Sequence, residues 1–352
     1  MARRPAFPTL LPLFGRAVTR TNRQLGRIGR EMVRSTLQAG TQALVDVSQA
    51  SAVRRRSAAG AGDWIAGAAF GPAGMRRYRL FRPAGVATSE RLPLLVMLHG
   101  CAQDADGFAL STRMNRLAAR ERFLVLYPEQ DRIANPQGCW NWYDTRSGRA
   151  FAEAATVLAA IDQVSRLYPA DSGRVALAGL SAGASLGALI AMRHPERFRA
   201  VVMHSGVSPG TASSTAQALS AMRGWRVVGA PPSQAPLPPL LVIHGSRDPV
   251  VASANARQAA EWWAAGSNAA ESPPRAVQRG QRRGMTVTDF KARGRTAATL
   301  CEIDGLGHAW SGGDGRHPFG DADGPDASRL AWAFVLRQLR RLERSGARRC
   351  GA

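Results

Sequence analysis

Short runs of consecutive hydrophobic residues alternate with longer segments of helical periodicity from about residue 61 onward. The short runs fit strands that are buried on both faces, and they lie at residues 94–98, 123–127, 175–178, 200–204 and 239–244. The longer segments fit helices, and they lie at residues 111–122, 151–167, 182–194 and 252–265. Strands that alternate with helices form parallel sheets with right-handed crossovers. The pattern therefore predicts an α/β fold with a mostly parallel, doubly wound sheet and helices on both of its faces.

The pattern is less regular toward the two ends of this region. Residues 78–82 fit an antiparallel strand at the edge of the sheet. Residues 298–303 fit the last strand, and a helix is expected at residues 326–343. Residues 266–297 are rich in Gly, Pro, Ser and Arg. We therefore expect a surface insertion before the last strand.

Residues 1–60 are interpreted as an N-terminal extension, and residues 61–352 as the α/β domain. Within the extension, residues 21–48 have the period of an amphipathic helix. One side of this helix is basic and contains Arg23, Arg27, Arg30 and Arg34. The other side is apolar and includes Leu25, Ile28, Met32, Ala39, Ala43 and Val47. We expect the helix to lie on the domain or to form a loose extension, and attachment to a membrane surface or a hydrophobic granule is the alternative.

Composition is typical of a packed globular chain, because 45% of the 352 residues are hydrophobic and 20% are charged. The formal net charge is +22, and all of the 47 basic residues except Lys291 are arginine. Arginines concentrate in residues 1–60 and 337–352, where Phe7 and Phe14 are the only aromatic residues. Surfaces that bind nucleic acids combine basic and aromatic side chains. The charge therefore does not favour a nucleic-acid partner.

The sequence leaves the cellular compartment open. No run of 18 apolar residues occurs, so we expect no membrane-spanning helix. An apolar stretch near the N-terminus resembles a signal core, but Pro5, Pro8 and Pro12 interrupt it. Cysteines are too few for a disulfide scaffold and lack the spacing of a metal site; they are Cys101, Cys139, Cys301 and Cys350. We expect neither a metal ion nor a cofactor.

The most specific local motif is Gly179-Leu180-Ser181-Ala182-Gly183, which lies between a predicted strand and a predicted helix. It has the form G-x-S-x-G, in which a serine nucleophile occupies a sharp turn with its hydroxyl exposed. The small residues around the serine allow strand and helix to approach closely. An ordinary glycine-rich turn is the alternative, and the strand-turn-helix context favours a nucleophilic Ser181.

A serine hydroxyl is a weak nucleophile at neutral pH and needs a histidine base that a carboxylate orients. In α/β folds of this kind the chain order is serine, acid, histidine. Asp248 and His308 each follow a predicted strand, so both lie where open α/β sheets bind ligands. Asp304 and Asp314 are too close to His308 in sequence for an easy face-on contact with its ring. The predicted catalytic residues are therefore Ser181, Asp248 and His308.

The other five histidines are expected to have structural roles. His204 and His244 lie at strand ends and are interpreted as hydrogen-bonded core residues or as support for the site. His99 is expected to shape a loop, His194 to end a helix, and His317 to lie in a surface turn.

Acyl transfer by a serine nucleophile also needs hydrogen-bond donors for the oxyanion of the tetrahedral intermediate. The backbone N–H after the nucleophile supplies one donor, and a loop after an early strand supplies the other. The first donor is then Ala182. The loop His99-Gly100-Cys101 fits the second requirement, so the N–H of Cys101 is the other predicted donor.

Six short motifs, in this order along the chain, resemble the polyhydroxybutyrate depolymerase family of esterases. They are His99-Gly100-Cys101 with Gln103, Tyr127-Pro128-Glu129-Gln130, Cys139-Trp140-Asn141-Trp142, Gly179-Leu180-Ser181-Ala182-Gly183, His244-Gly245 with Asp248, and Gly307-His308-Ala309-Trp310-Ser311-Gly312-Gly313. The resemblance covers about residues 75–340. It implies the α/β-hydrolase fold, serine carboxylesterase activity and hydrolysis of 3-hydroxyalkanoate polyesters or oligomers. Related members resemble feruloyl and acetylxylan esterases, so the fold does not decide the substrate.

The resemblance also implies a disulfide between Cys101 and Cys139 that holds the oxyanion loop, and free thiols in a reducing compartment are the alternative. Trp140, Trp142 and Trp310 are expected to line the substrate cleft. Secreted members of this family carry polymer-binding domains, and we find none in this sequence, which weakens the case for crystalline polymer as substrate. An extracellular location is implied, with a cytoplasmic or granule-associated one as the alternative.

The sequence thus predicts a serine carboxylesterase that hydrolyses poly- or oligo-3-hydroxybutyrate through an acyl-enzyme. A carbohydrate esterase of the feruloyl or acetylxylan type is the second hypothesis. The third is a protein that binds a granule or another surface through residues 21–48 and keeps a hydrolase scaffold.

Overall fold

Residues 60–227, 229 and 236–350 are described by the computed structural model. The predicted helix at residues 21–48 and nearly all of the predicted extension lie outside the described residues. None of the helices in the described part has the length and hydropathy needed to cross a membrane.

Eleven strands form the main sheet: β1 Gly62–Gly71, β2 Gly74–Pro83, β3 Leu92–Leu98, β4 Leu124–Pro128, β5 Ala170–Leu180, β6 Val201–His204, β7 Leu240–Gly245, β8 Ala270–Glu271, β9 Arg275–Val277, β10 Met285–Ala292 and β11 Arg295–Ile303. Two short strands form a second sheet: β12 Trp310–Ser311 and β13 Gly320–Asp321. The described helices are α1 Ala105–Thr112, α2 Met114–Glu121, α3 Arg149–Leu167, α4 Ala182–Arg193, α5 Thr215–Met222, α6 Ala254–Ala265 and α7 Ala327–Cys350.

The main sheet has a parallel centre and antiparallel flanks. Its strand order is β1-β2-β4-β3-β5-β6-β7-β11-β10-β8, and β9 also pairs with β10. Every pair from β4 to β11 is parallel, whereas β1, β2 and β10 pair antiparallel with their neighbours. The carboxyl ends of β5, β7 and β11 therefore meet at one edge of the sheet.

Both faces of the sheet are covered, which explains why its central strands are continuous apolar runs. In β3, Leu94 and Val96 pack into one hydrophobic cluster, which includes residues of α3, α4 and α6. The intervening Leu95 and Met97 pack into a second cluster, which includes residues of α1, α2 and α7. The predicted α/β fold with helices on both faces is confirmed.

The helix predicted at residues 111–122 is instead two helices, α1 and α2. Arg113 lies between them with φ 54°, in the left-handed region that interrupts a right-handed helix. The strand predicted at residues 78–82 also differs, because it belongs to the ten-residue β2 and is internal. The edge strand is β1, which pairs with β2 along its whole length.

The surface insertion predicted at residues 266–297 is wrong for its second half. Residues Met285–Ala292 form β10, which pairs with β11 in antiparallel register. Met285, Val287 and Phe290 are buried in this strand. Taken alone, residues 285–292 have the alternating pattern of a half-buried strand. The polar composition of the residues before them obscured this pattern.

Candidate active site

Ser181 occupies the sharp turn between β5 and α4. Its backbone has φ 55° and ψ −121°, a positive-φ conformation that is strained for a residue other than glycine. The N–H of Ser181 donates a hydrogen bond of 2.8 Å to the carbonyl of His204 at the end of β6. The turn is thus tied to the neighbouring strand, in the conformation that a nucleophile elbow requires.

Glycines beside Ser181 are required by close backbone contacts. A methyl group added at Gly183 would lie 2.1 Å from the carbonyl oxygen of Leu98 at the end of β3. A methyl group at Gly179 would lie 2.5 Å from the carbonyl carbon of Gly183. Both distances are far inside van der Waals contact, so the G-x-S-x-G spacing allows α4 to begin against β3 and β5.

Asp248 and His308 are in direct contact, although 60 residues separate them in sequence. Nδ1 of His308 lies 2.7 Å from Oδ2 of Asp248, and the exposed fractions of the two side chains are 9% and 0%. Because an ionised carboxylate only accepts hydrogen bonds, Nδ1 carries the hydrogen and Nε2 of the neutral ring is free to accept a proton. His308 therefore has the tautomer of a general base.

The environment of Asp248 favours its ionised form. Burial opposes the charge, but hydrogen bonds from His244 and His308 outweigh it and hold the pKa of Asp248 well below its ordinary value. The other carboxylate oxygen, Oδ1, accepts hydrogen bonds of 2.9 Å from the N–H groups of Val250 and Val251. The acid is charged and fixed in orientation near neutral pH.

His204 connects the serine turn to the loop that carries His308. Its carbonyl accepts from Ser181, and its Nε2 accepts a hydrogen bond of 3.2 Å from the N–H of Ser311. Its ring also stacks on Trp310 at 5.1 Å between centroids. The described contacts include no hydrogen bond between Ser181 and His308 themselves. The two segments are held together through His204, which the sequence indicated only as a core or supporting histidine.

The predicted oxyanion donors lie beside the serine. A methyl group added at Gly100 would lie 3.6 Å from Cβ of Ser181, so the loop after β3 contacts the serine turn. Within the described part of the chain, the N–H groups of Cys101 and Ala182 donate to no backbone acceptor. Ala182 is the first residue of α4, where helix geometry leaves the N–H unpaired. Both amides are available to a ligand.

A buried carboxylate, Glu153 of α3, organises the loop behind the oxyanion donors. Its Oε1 accepts hydrogen bonds of 2.7 Å from the Gln130 side chain and 2.6 Å from the Asn141 side chain. Its Oε2 accepts a hydrogen bond of 2.8 Å from the Asn141 backbone. Gln130 also donates to the carbonyl of Cys139, which is joined to Cys101 by a disulfide. The sequence analysis did not identify Glu153; the signal was a carboxylate flanked on both sides by apolar residues of a helix.

Replacing Glu153 with alanine is expected to lower the free energy of unfolding by about 3–5 kcal/mol, because buried donors lose a charged acceptor. Thermal and urea denaturation will measure the change. The control is Glu121→Ala, which removes an exposed glutamate paired with Arg120 and should change stability by less than about 0.5 kcal/mol. Equal effects of the two substitutions would contradict the role of Glu153.

The three tryptophans predicted to line the cleft are placed mainly in the core. Trp140 and Trp310 have no exposed surface, and Trp142 is 8% exposed. Nε1 of Trp310 donates to the hydroxyl of Ser328 at 3.1 Å. Trp140 packs beside the His99 ring at 5.4 Å between centroids. Trp140 and Trp310 support the loops of the site in this structure, and neither presents a face to a substrate. The sequence motifs could not distinguish tryptophans that line a substrate cleft from tryptophans that are buried and support the loops.

The remaining candidates from the sequence lie apart from the contact between Asp248 and His308. Asp314 is bound by Arg316 at 2.7 Å, and Asp304 is exposed. His99 is buried, donates from Nδ1 to the carbonyl of Gly100 and accepts at Nε2 from the N–H of Gln130. These contacts fix the shape of the loop that leads to Cys101.

The stability of the protein is expected to depend on His204 in acid. Burial, together with repulsion from His244 and His308, lowers the pKa of His204 to about 3, whereas an unfolded histidine has a pKa of about 6.5. Between these values the unfolded chain binds a proton that the folded chain does not, so stability falls as the pH drops through this window. The loss from this residue should reach about 3 kcal/mol between about pH 7 and about pH 4.

Urea denaturation at a series of pH values will test this dependence. The His204→Gln variant should show a flatter decline in stability toward acid than the parent, and the control His317→Gln should decline as the parent does. An unchanged slope in His204→Gln would show that another group causes the acid sensitivity.

The protein has the α/β-hydrolase fold. Its defining features are the parallel sheet, the strained serine at the end of β5, the acid after β7 and the histidine after β11. The structure is similar to that of an acetyl xylan esterase from Aspergillus awamori, with a TM-score of 0.56 and 21% identity over 70% of this chain and 94% of that one. Residues 76–265 match the model of the family described as Esterase PHB depolymerase. The match covers more than half of the chain. The chain belongs to this family, and the resemblance predicted from the six motifs is confirmed.

Individual relatives in sequence have several named activities. The chain is 29% identical over 191 residues to poly(3-hydroxyalkanoate) depolymerase C of Paucimonas lemoignei, covering 51% of this chain and 45% of the relative. It is 30% identical over 150 residues to feruloyl esterase B of Neurospora crassa, covering 41% and 49%. It is 24% identical over 243 residues to a probable acetylxylan esterase A of Neosartorya fischeri, covering 63% and 64%. The chain spans about half to two thirds of the length of these relatives.

Proposed function

We propose that this chain is a serine carboxylesterase that cleaves esters through an acyl-enzyme. The observation that carries the proposal is the 2.7 Å contact between His308 and Asp248. It lies at the same edge of the sheet as Ser181, whose backbone has the strained conformation of a nucleophile. The contact and the strained turn support a triad built from three residues in distant parts of the sequence.

In the proposed mechanism, the hydroxyl oxygen of Ser181 attacks the ester carbonyl while Nε2 of His308 takes its proton. Asp248 stabilises the resulting imidazolium, and the N–H groups of Cys101 and Ala182 bind the oxyanion. The tetrahedral intermediate breaks the bond to the alcohol, which receives the proton from His308. Water then repeats the sequence on the acyl-enzyme, releasing the acid and restoring Ser181.

For the substrate, we propose oligomers or polymers of 3-hydroxybutyrate. Support comes from the family and from the named depolymerase among the relatives. Feruloylated or acetylated polysaccharide is the second candidate, and the named activities of two other relatives support it. In both cases the bond to be cleaved is a carboxylic ester, so the proposed triad serves either substrate.

A substrate panel separates the two candidates. Purified protein is assayed with 3-hydroxybutyrate oligomers, methyl ferulate and acetylated xylan, and kcat/KM is determined from the acid released. We expect kcat/KM for the oligomers to exceed that for the other two by more than about tenfold. The Ser181→Ala variant provides the blank. A preference for the ferulate or the acetylated xylan would replace the polyester assignment with a carbohydrate esterase.

A further inference from the structure

Asp248 has a second histidine neighbour that the proposed mechanism does not use. Nε2 of His244 lies 2.9 Å from the carbonyl oxygen of Val251 and 3.4 Å from Oδ2 of Asp248. The side chains of His244 and Asp248 are both fully buried. His244 belongs to β7, and Asp248 lies in the loop that follows, so the strand fixes the ring beneath the carboxylate.

The neighbours of His244 determine which of its nitrogens carries hydrogen. A carbonyl oxygen only accepts hydrogen bonds, so Nε2 must donate to Val251. Among the described residues, Nδ1 is buried and has no hydrogen-bond partner. The N–H of the His244 ring that makes a hydrogen bond is therefore the one at Nε2, on the side that faces Val251 and Asp248.

The contacts of His244 hold two parts of the same turn. Oδ1 of Asp248 accepts from the N–H of Val250 and of Val251, while His244 bonds to the carbonyl of Val251 on the other side. The same edge of the ring faces Oδ2, the oxygen that contacts His308. His244 thus limits the movement of the turn and of the carboxylate together.

We propose that His244 is a positioning residue, which holds Oδ2 of Asp248 toward His308 and does not touch the substrate. The inference rests on the proposed function, because it requires His308 to act as the base. Displacement of a catalytic group by about 1 Å can lower the rate about 100-fold. We therefore expect His244→Leu to lower kcat by about 10-fold to 100-fold with little change in KM. His244→Gln, whose amide N–H can donate to the same acceptors, should recover most of the loss.

The test compares four proteins with p-nitrophenyl butyrate as substrate: the parent, His244→Leu, His244→Gln and Leu241→Ala. Leu241 is a buried residue of the same strand that packs in the other hydrophobic cluster, so its variant controls for general destabilisation of β7. Measurements are kcat, KM, thermal unfolding and the proton NMR signal of the His308 Nδ1 hydrogen. We expect His244→Leu to lower kcat and to shift the NMR signal. Leu241→Ala should lower the unfolding temperature but leave kcat and the NMR signal as in the parent.

Two results would overturn the inference: a kcat for His244→Leu no lower than that for Leu241→Ala, or a folded His244→Gln as inactive as the leucine variant. If His244→Leu does not fold, the glutamine variant decides. Near-parental kcat with a parental NMR signal supports positioning, and a loss of 10-fold or more contradicts it. Full activity of Ser181→Ala would overturn the proposed function instead, so the two failures are distinct.

Discussion

Ser181→Ala is expected to lose esterase turnover by a factor of about 10⁴ to 10⁶ while the protein stays folded. The substitution removes the hydroxyl that attacks the ester in the proposed mechanism. It leaves the hydrogen bond from the Ser181 backbone to His204 intact, because that bond uses the main chain. The positive φ is as strained for alanine as for serine, so thermal unfolding should change little. Turnover of p-nitrophenyl butyrate and thermal unfolding measure the two effects.

Ser185 provides a matched control for this variant. It lies four residues further along α4, is buried, and accepts a hydrogen bond of 2.8 Å from the N–H of Val207. Ser185→Ala should lower stability by about 1–3 kcal/mol because this amide loses its acceptor. Its turnover should stay within about tenfold of the parent. If Ser181→Ala and Ser185→Ala were equally active, the nucleophile would be another residue.

Asp248→Asn is expected to lower kcat about 10⁴-fold, as the corresponding change does in a serine protease triad. The asparagine amide can donate where the carboxylate accepts, which favours the tautomer of His308 with hydrogen on Nε2. That tautomer cannot take the proton of Ser181. The side chains have similar volumes, so the substitution opens no cavity. Steady-state assays at saturating p-nitrophenyl butyrate measure the effect.

The charge on Asp248 also contributes to stability. Because its pKa is lower in the folded protein than in the unfolded chain, the contribution is present above about pH 4 and is lost as the pH falls toward the folded value. Asp248→Asn should therefore be less stable than the parent near neutral pH, with a smaller difference in strong acid. Asp314→Asn is the control, since Asp314 is charged but bound to Arg316. Comparable losses of kcat in both variants would contradict the assignment of Asp248.

The fold could be predicted where burial on both faces makes a strand a continuous apolar run. Residues 94–98 and 239–244 are such runs, and they lie within β3 and β7 with small changes at the ends. β10 was missed because the polar composition of the residues before it obscured its half-buried strand pattern. The break at Arg113 has no glycine or proline to mark it. Local sequence therefore predicted the parallel centre better than the antiparallel flanks.

The residues of the site also differ in how well the sequence could predict them. Ser181, Asp248 and His308 could be proposed from sequence because each follows a predicted strand and an α/β fold of this kind fixes their order along the chain. The contacts of Glu153 and His204 join residues far apart in the chain, and no local pattern marks such pairs. For the tryptophans, the sequence indicated aromatic residues near the site, but only the structure shows how deeply they are buried.

The most direct measurement of the central claim is covalent labelling with a fluorophosphonate, followed by mass mapping of the labelled peptides. This reagent reacts with activated serine hydroxyls and does not depend on the choice of ester substrate. The account predicts one adduct per chain, on Ser181, that disappears in Ser181→Ala and is strongly reduced in Asp248→Asn. An adduct on another residue, or no adduct on the folded active protein, would contradict it.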